Sequence, residues 1–179
     1  MPVDRRHVRL PVLIGLAAAF VFAAAFGCGR SGGCHNGVCG CPQGASCELG
    51  CSAPPCHVTC EGDNPSCQAV CANGTCTCGS GSDCSFACHA PPCHVTCESH
   101  TTCSGTCANG QCACGEDSHC SFTCLASPCH TSCAAGASCV VHCPAGLAGT
   151  GACDIVSCAA GAPVVCPRGD VVTCGAPCL

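Results

Sequence analysis

The chain of 179 residues contains no Lys, no Trp and no Tyr, and its one Met is Met1. Three of its five Phe sit in an N-terminal apolar run, which leaves only Phe86 and Phe122 beyond it. Leu and Ile are scarce as well, so a conventional core of large apolar side chains is excluded. The basic groups are Arg5, Arg6, Arg9, Arg30 and Arg168 alone. Past the apolar run, two arginines face nine carboxylates, a net charge near −7 with His neutral. Nucleic-acid binding needs a Lys/Arg footprint on the phosphates, and that footprint is missing. Attraction to anionic membrane surfaces is disfavoured on the same ground. No Gly-x-Ser-x-Gly, Walker A or His-Glu-x-x-His pattern occurs, so neither an enzyme nor a cofactor is expected. Glu61 with Glu98, and Asp83 with Asp117, look like paired carboxylates. They read as repeat equivalents on solvated turns.

Cysteine is what the chain has in excess: 31 residues. That density marks a disulfide scaffold. Residues 1–11 carry three arginines, and residues 12–26 are an uncharged apolar run. A basic segment before such a run reads as a signal peptide over residues 1–27, and the run is short for a membrane span of ~20 residues. The sequence Ala25-Phe26-Gly27-Cys28 resembles the lipobox of bacterial lipoproteins, in which a small residue precedes a Cys that is acylated and becomes the new N-terminus. The resemblance implies lipidation of Cys28, residues 28–33 as a tether, and a membrane partner reached through the lipid. It also implies an outer-membrane or cell-surface location. An Ala-x-Ala site at residues 23–25 leaves simple secretion as the alternative. Parity points to the lipid: an odd Cys in an exported protein needs a reason, and setting Cys28 aside leaves thirty.

The chain repeats itself. Residues 53–61, Ala-Pro-Pro-Cys-His-Val-Thr-Cys-Glu, recur as 90–98, and Cys71-Ala72-Asn73-Gly74 recurs as Cys107-Ala108-Asn109-Gly110. Cys-x-Cys pairs open at Cys39, Cys76 and Cys112, with Cys41, Cys78 and Cys114 as their second members. The array runs over residues 34–143, and residues 144–179 read as an atypical cap. Within it stand nine Cys-x3-Cys pairs: Cys47/Cys51, Cys56/Cys60, Cys67/Cys71, Cys84/Cys88, Cys93/Cys97, Cys103/Cys107, Cys120/Cys124, Cys129/Cys133 and Cys139/Cys143. Their middle residues are Leu49, Val58, Ala69, Phe86, Val95, Gly105, Phe122, Thr131 and Val141, mostly apolar, and their flanks are mostly polar. On a helix the middle residue would point away from the two Cys; on a strand all three share a face. The pattern therefore predicts strands with Cys and an apolar residue inward. In a strand, residues i and i+4 lie ~13 Å apart, whereas a disulfide needs Cα atoms within ~7 Å. The two Cys of one strand cannot bond each other and must reach a neighbouring strand or the facing sheet.

Two all-β, disulfide-rich architectures fit. One is a thin β-solenoid with coils of about 18 residues, two coils per repeat, flatter than usual because ordinary facing sheets lie ~10 Å apart. The other is a string of hairpin modules, suggested by Asn-Gly at 36–37, 73–74 and 109–110. The frame Cys-x-Asn-Gly-x-Cys-x-Cys at 34–41, 71–78 and 107–114 resembles the core of EGF-like domains. Hairpins predict Cys71–Cys76 and Cys107–Cys112 bonds, which a solenoid does not require. The near-constant pitch of nine strands favours the solenoid.

An exported chain meets an oxidising compartment, so structural disulfides are expected for these cysteines. The same Cys density resembles metallothioneins, which implies thiolate sequestration of Zn or Cu with help from His. Against that stand the absence of Lys and the Cys–apolar alternation. His57, His94 and His130 are expected to form an outward column ~9.6 Å apart on alternate coils, too wide to share one metal. The expected function is a structural or interaction role at the cell envelope, with a protein or glycan partner. A glycan- or ice-binding face built on outward Thr59, Thr96, Thr106 and Thr123 is a further alternative, with His and Ser interrupting any Thr ladder.

Overall fold

The computed structural model describes residues 34–51, 54–64 and 66–178; the expected signal peptide over residues 1–27, Cys28 and the expected tether lie outside the described residues. These residues form an all-β solenoid of about five coils. Its strands are β1 (Cys34–His35), β2 (Val38–Cys41), β3 (Ser46–Leu49), β4 (His57–Cys60), β5 (Ser66–Cys78), β6 (Asp83–Cys97), β7 (Thr102–Cys114), β8 (His119–Cys133), β9 (Ser138–His142), β10 (Cys153–Cys158), β11 (Val164–Val165) and β12 (Val171–Cys174).

The alternation in sequence becomes an alternation in burial. Asp83–Phe86 runs exposed, buried, exposed, buried, and His57–Cys60 does the same. Each long strand crosses a corner, so β5 places residues 66–71 on a first face and 76–78 on a second. Successive coils stack in parallel and bring like residues into columns. On the first face Cys67, Cys84, Cys103, Cys120 and Cys139 are in register. On the second, Cys41, Cys60, Cys78, Cys97, Cys114 and Cys133 are. The parallel ladder ends at its C-terminal side with β10 on β8 in the second face, while β12 turns back antiparallel onto β9 in the first.

Two kinds of coil alternate. In the first-face interior column, Leu49, Ala69, Phe86, Gly105 and Phe122 follow one another. In the second face the matching column reads Val58, Cys76, Val95, Cys112 and Thr131. Coils with a bulky first-face residue thus carry Val or Thr opposite, and coils with Ala or Gly carry Cys. A Cβ on Gly105 would stand 3.4 Å from Val95 Cγ2 and 3.6 Å from Phe86 Cβ, so the large coils lean into the small ones. This interdigitation fills a thin interior.

The Asn-Gly segments correct the hairpin expectation. Only Asn36-Gly37 has two successive positive φ angles, 50° and 78°, which a type I′ turn requires. Of the three Asn-Gly segments only this one reverses the chain, pairing β1 with β2 antiparallel. Asn73 and Asn109 are left-handed, but the Gly after each is not, so residues 71–78 and 107–114 turn a corner and continue into parallel strands. Gly74 and Gly110 are needed there for space: a Cβ would come 2.0 Å from Cys56 O and 2.5 Å from Cys93 O. The expected Cys71–Cys76 and Cys107–Cys112 bonds are present, but they belong to the solenoid.

The opposite corner is held by buried hydroxyls. Ser118 Oγ accepts the Thr101 N–H at 3.0 Å and donates to Glu98 O at 2.7 Å. Ser82 Oγ does the same for Asn64 N at 2.9 Å and Glu61 O at 3.2 Å. These serines are fully buried, and each pairs backbone groups of the coil before it.

Two outcomes are expected in urea denaturation with the bridges intact. Ser118→Ala leaves the buried Thr101 N–H unpaired, while Glu98 O keeps the Thr101 hydroxyl at 3.0 Å, and should cost about 1–3 kcal/mol. Gly105→Leu overpacks against Phe86 and Val95 and should cost about 1–3 kcal/mol, while Gly105→Ala is tolerated with a smaller loss.

Candidate functional site: disulfide ladders and outward columns

The strand geometry that forbids bonds within a Cys-x3-Cys pair is obeyed throughout: none of the nine pairs is bonded internally. Each Cys instead bonds across a corner to the next Cys in sequence. One ladder contains Cys41–Cys47, Cys60–Cys67, Cys78–Cys84, Cys97–Cys103, Cys114–Cys120 and Cys133–Cys139. The other contains Cys51–Cys56, Cys71–Cys76, Cys88–Cys93, Cys107–Cys112, Cys124–Cys129 and Cys143–Cys153. Their Cα–Cα distances run from 5.8 to 6.4 Å. Bridging at corners, where the chain itself crosses between faces, removes the difficulty of spanning two sheets ~10 Å apart.

In the small coils the bridge shifts inward. Cys76 and Cys112 occupy the interior column that Val58 and Val95 hold in the large coils. Gly74 and Gly110 lie in register with Cys93 and Cys129, at the corner position those coils use for their bridge. All thirty Cys from Cys34 to Cys178 are paired, with Cys34–Cys39 at one end and Cys158–Cys174 and Cys166–Cys178 at the other. Sulfur committed to disulfides is not thiolate, so metal sequestration by these cysteines has no free donors in this state.

The outward residues also form columns. On the second face His57, Thr75, His94, Gln111, His130 and Asp154 follow one another. His57 Nδ1 meets Thr75 Oγ1 at 2.9 Å, His94 Nδ1 accepts the Gln111 N–H at 3.2 Å, and His130 Nδ1 meets Asp154 Oδ1 at 2.8 Å. The three histidines stand on alternate coils as expected, each engaged with its neighbour. In the adjacent column Thr59, Thr77 and Thr96 are in direct register. The Thr ladder thus runs for three rungs, because Thr77 of the small coil fills the gap, and Ala113 and Ser132 then interrupt it. Thr106 and Thr123 pair with each other on the first face.

The first face carries a shallow groove of about 500 Å³ along the coil stack. One wall is Ser66, Asp83, Thr102, His119 and Ser138; the other is Gln68, Ser85, Ser104, Ser121 and Val140. Disulfide cysteines Cys67, Cys84, Cys103 and Cys120 form its floor. Asp83 therefore belongs to a strand column with Thr102 and His119. Asp117 instead sits at a corner with φ 53°, in the same left-handed position as His100, whose ring stands 3.8 Å from its carboxylate. Asp83 and Asp117 are therefore not repeat equivalents: the two-coil period of 36 residues carries Asp83 to His119, whereas Asp117 is only 34 residues away and falls on the corner before that strand. Glu61 and Glu98 are equivalent, each receiving a backbone N–H from the coil before, Gln43 and Ser80 respectively, at 3.2 Å. The corner that holds them also holds Asp63, Glu116 and Asp117, an acidic ridge. At the opposite corner, residues 72–75, 89–92, 108–111 and 125–128 hold no Asp, Glu or Arg.

No known family matches the chain, no curated protein matches it, and no solved structure matches it. The disulfide network itself places the chain among exported, extracellular-type proteins.

Under denaturing, non-reducing conditions a thiol reagent should find no reactive thiol between Cys34 and Cys178. Cys107→Ala with Cys112→Ala should lower stability by about 2 kcal/mol, the value for a loop this short, read from the urea midpoint.

Proposed function

We propose that the protein is a structural or interaction module of the cell envelope: a rigid spacer held to a membrane by lipid at Cys28. The observation that carries this reading is the closed set of thirty paired cysteines, which leaves Cys28 as the odd one. A coil stapled at both corners cannot splay, so the stack resists unfolding without a large apolar core. About five coils at ~4.8 Å per rung make a rod roughly 25 Å long. Residues 28–33, Cys-Gly-Arg-Ser-Gly-Gly, would be the tether between the lipid and the first coil. The faces present hydroxyl, amide and imidazole groups, and the acidic ridge keeps like rods apart.

The groove of the first face favours a second reading, as a site for an extended neutral polysaccharide lying along the stack. Ser85, Ser104 and Ser121 repeat once per rung in direct register, and a hydroxyl-bearing polymer offers partners at a comparable repeat. Phe86 and Phe122 are buried, so such binding rests on hydrogen bonds rather than ring stacking.

Metabolic labelling with a fatty-acid analogue tests the tether. Label is expected on the wild type and absent from Cys28→Ala; equal labelling of both overturns the lipid assignment. For the groove, retention on insoluble neutral polysaccharide should be lost in Ser104→Arg, and retention unaffected by that change rejects the second reading.

A further inference from the structure

The order of the bridges carries information beyond their number. From Cys34 to Cys153 every cysteine is bonded to its neighbour in cysteine order, first to second, third to fourth, through thirteen bridges. The last four break the rule: Cys158–Cys174 and Cys166–Cys178 interleave. We propose that the protein is oxidised in order, N-terminus first, by a dithiol oxidase of the exported compartment. Only its C-terminal cap then requires a disulfide isomerase.

Export delivers the cysteines one after another. Each newly exposed thiol finds the nearest unpaired one closest, and closure of a short loop costs least. The coil bridges close separations of five to seven residues before the cap begins. Each is formed when a cysteine thiolate attacks the oxidase disulfide and a second cysteine displaces the oxidase. Two protons and two electrons leave the chain, and the oxidase is reduced to a dithiol.

The same nearest-neighbour rule applied to the cap yields Cys158–Cys166 and Cys174–Cys178. The native bonds wait for β12, which reverses direction to lie antiparallel on β9 and sets Cys174 opposite Cys139. Converting one pairing into the other is redox-neutral. An isomerase thiolate opens Cys158–Cys166 as a mixed disulfide on Cys158, the freed Cys166 attacks Cys178 and expels Cys174, and Cys174 then displaces the isomerase from Cys158, releasing it unchanged.

Consecutive pairing has one competing register. Started one cysteine early, it gives Cys39–Cys41 and then Cys47–Cys51 and Cys56–Cys60, and these last are the i, i+4 pairs that an extended strand cannot hold. A free thiol at Cys28 would start that register by bonding Cys34. Withdrawing Cys28 from the thiol pool therefore protects every bridge that follows; this last step alone rests on the tether proposal.

The test uses the chain from residue 28, exported behind an ordinary cleavable leader in a host with its oxidase but without its isomerase. Nascent thiols are trapped by alkylation before proteolysis, and bridges are mapped by mass spectrometry of unreduced peptides. With Cys28→Ala, native bridges are expected from Cys34 to Cys153, with the cap recovered several-fold less often in its native pairing than when isomerase is present. Scrambled coils, or a native cap without isomerase, would overturn ordered oxidation. Removing Cys166 and Cys178 as well makes Cys158 and Cys174 neighbours in cysteine order. That variant should no longer respond to isomerase, and a persisting requirement also refutes the proposal. With Cys28 kept as a free thiol, Cys47–Cys51-type bonds are expected; an unchanged native map would refute the register argument while leaving the cap argument standing.

Discussion

A disulfide tolerates only a narrow Cα separation, and that restriction organises this protein. Sheets packed at their usual distance cannot be cross-linked sulfur to sulfur through their middles. The chain meets the restriction where it crosses from one face to the other, and there it places a bridge at nearly every corner. Once the corners are tied, coil length, strand direction and parallel register all follow. The interior needs little more than the half-cystines themselves, one side chain per strand and the buried serines of the acidic corner.

The second constraint is space. A flat interior cannot take Phe86 and Phe122 on consecutive rungs, so Gly105 stands between them, with Ala69 before Phe86. The small coils use the room opposite to bring their bridge inward at Cys76 and Cys112. This explains why the sequence repeats at two coils instead of one. The outward positions escape both constraints. They diverge into an acidic ridge, a hydroxylated groove and a His–Thr face on one framework, and only these surfaces are free to be tuned to a partner.

Much of the framework was legible because a period of two leaves few readings. Cys-apolar-Cys with polar flanks specifies an extended strand, and an extended strand rules out its own internal bond. The solenoid, the inward cysteines and the outward His57, His94 and His130 follow from that. The Asn-Gly segments misled in part because the same dipeptide serves two geometries. A left-handed Asn is common to both, and only the φ of the following Gly distinguishes reversal at Gly37 from a corner at Gly74. Asp83 and Asp117 are misaligned because they lie 34 residues apart, two short of the 36 that separate Cys84 from Cys120, so one is on a strand and the other on the corner before it. The buried roles of Ser82 and Ser118 left no mark in sequence, since Ser at a turn ordinarily reads as solvated.

By itself the sequence determined that the chain is extended, sulfur-linked and built of repeats, since side-chain alternation and Cys spacing are local properties of the backbone. The tertiary structure decided which cysteine meets which, where the hydroxyls line up and which Asn-Gly reverses the chain. Those outcomes depend on how one coil seats on the next, and contacts between residues 17 to 20 positions apart are chosen by packing and register rather than by any short segment alone.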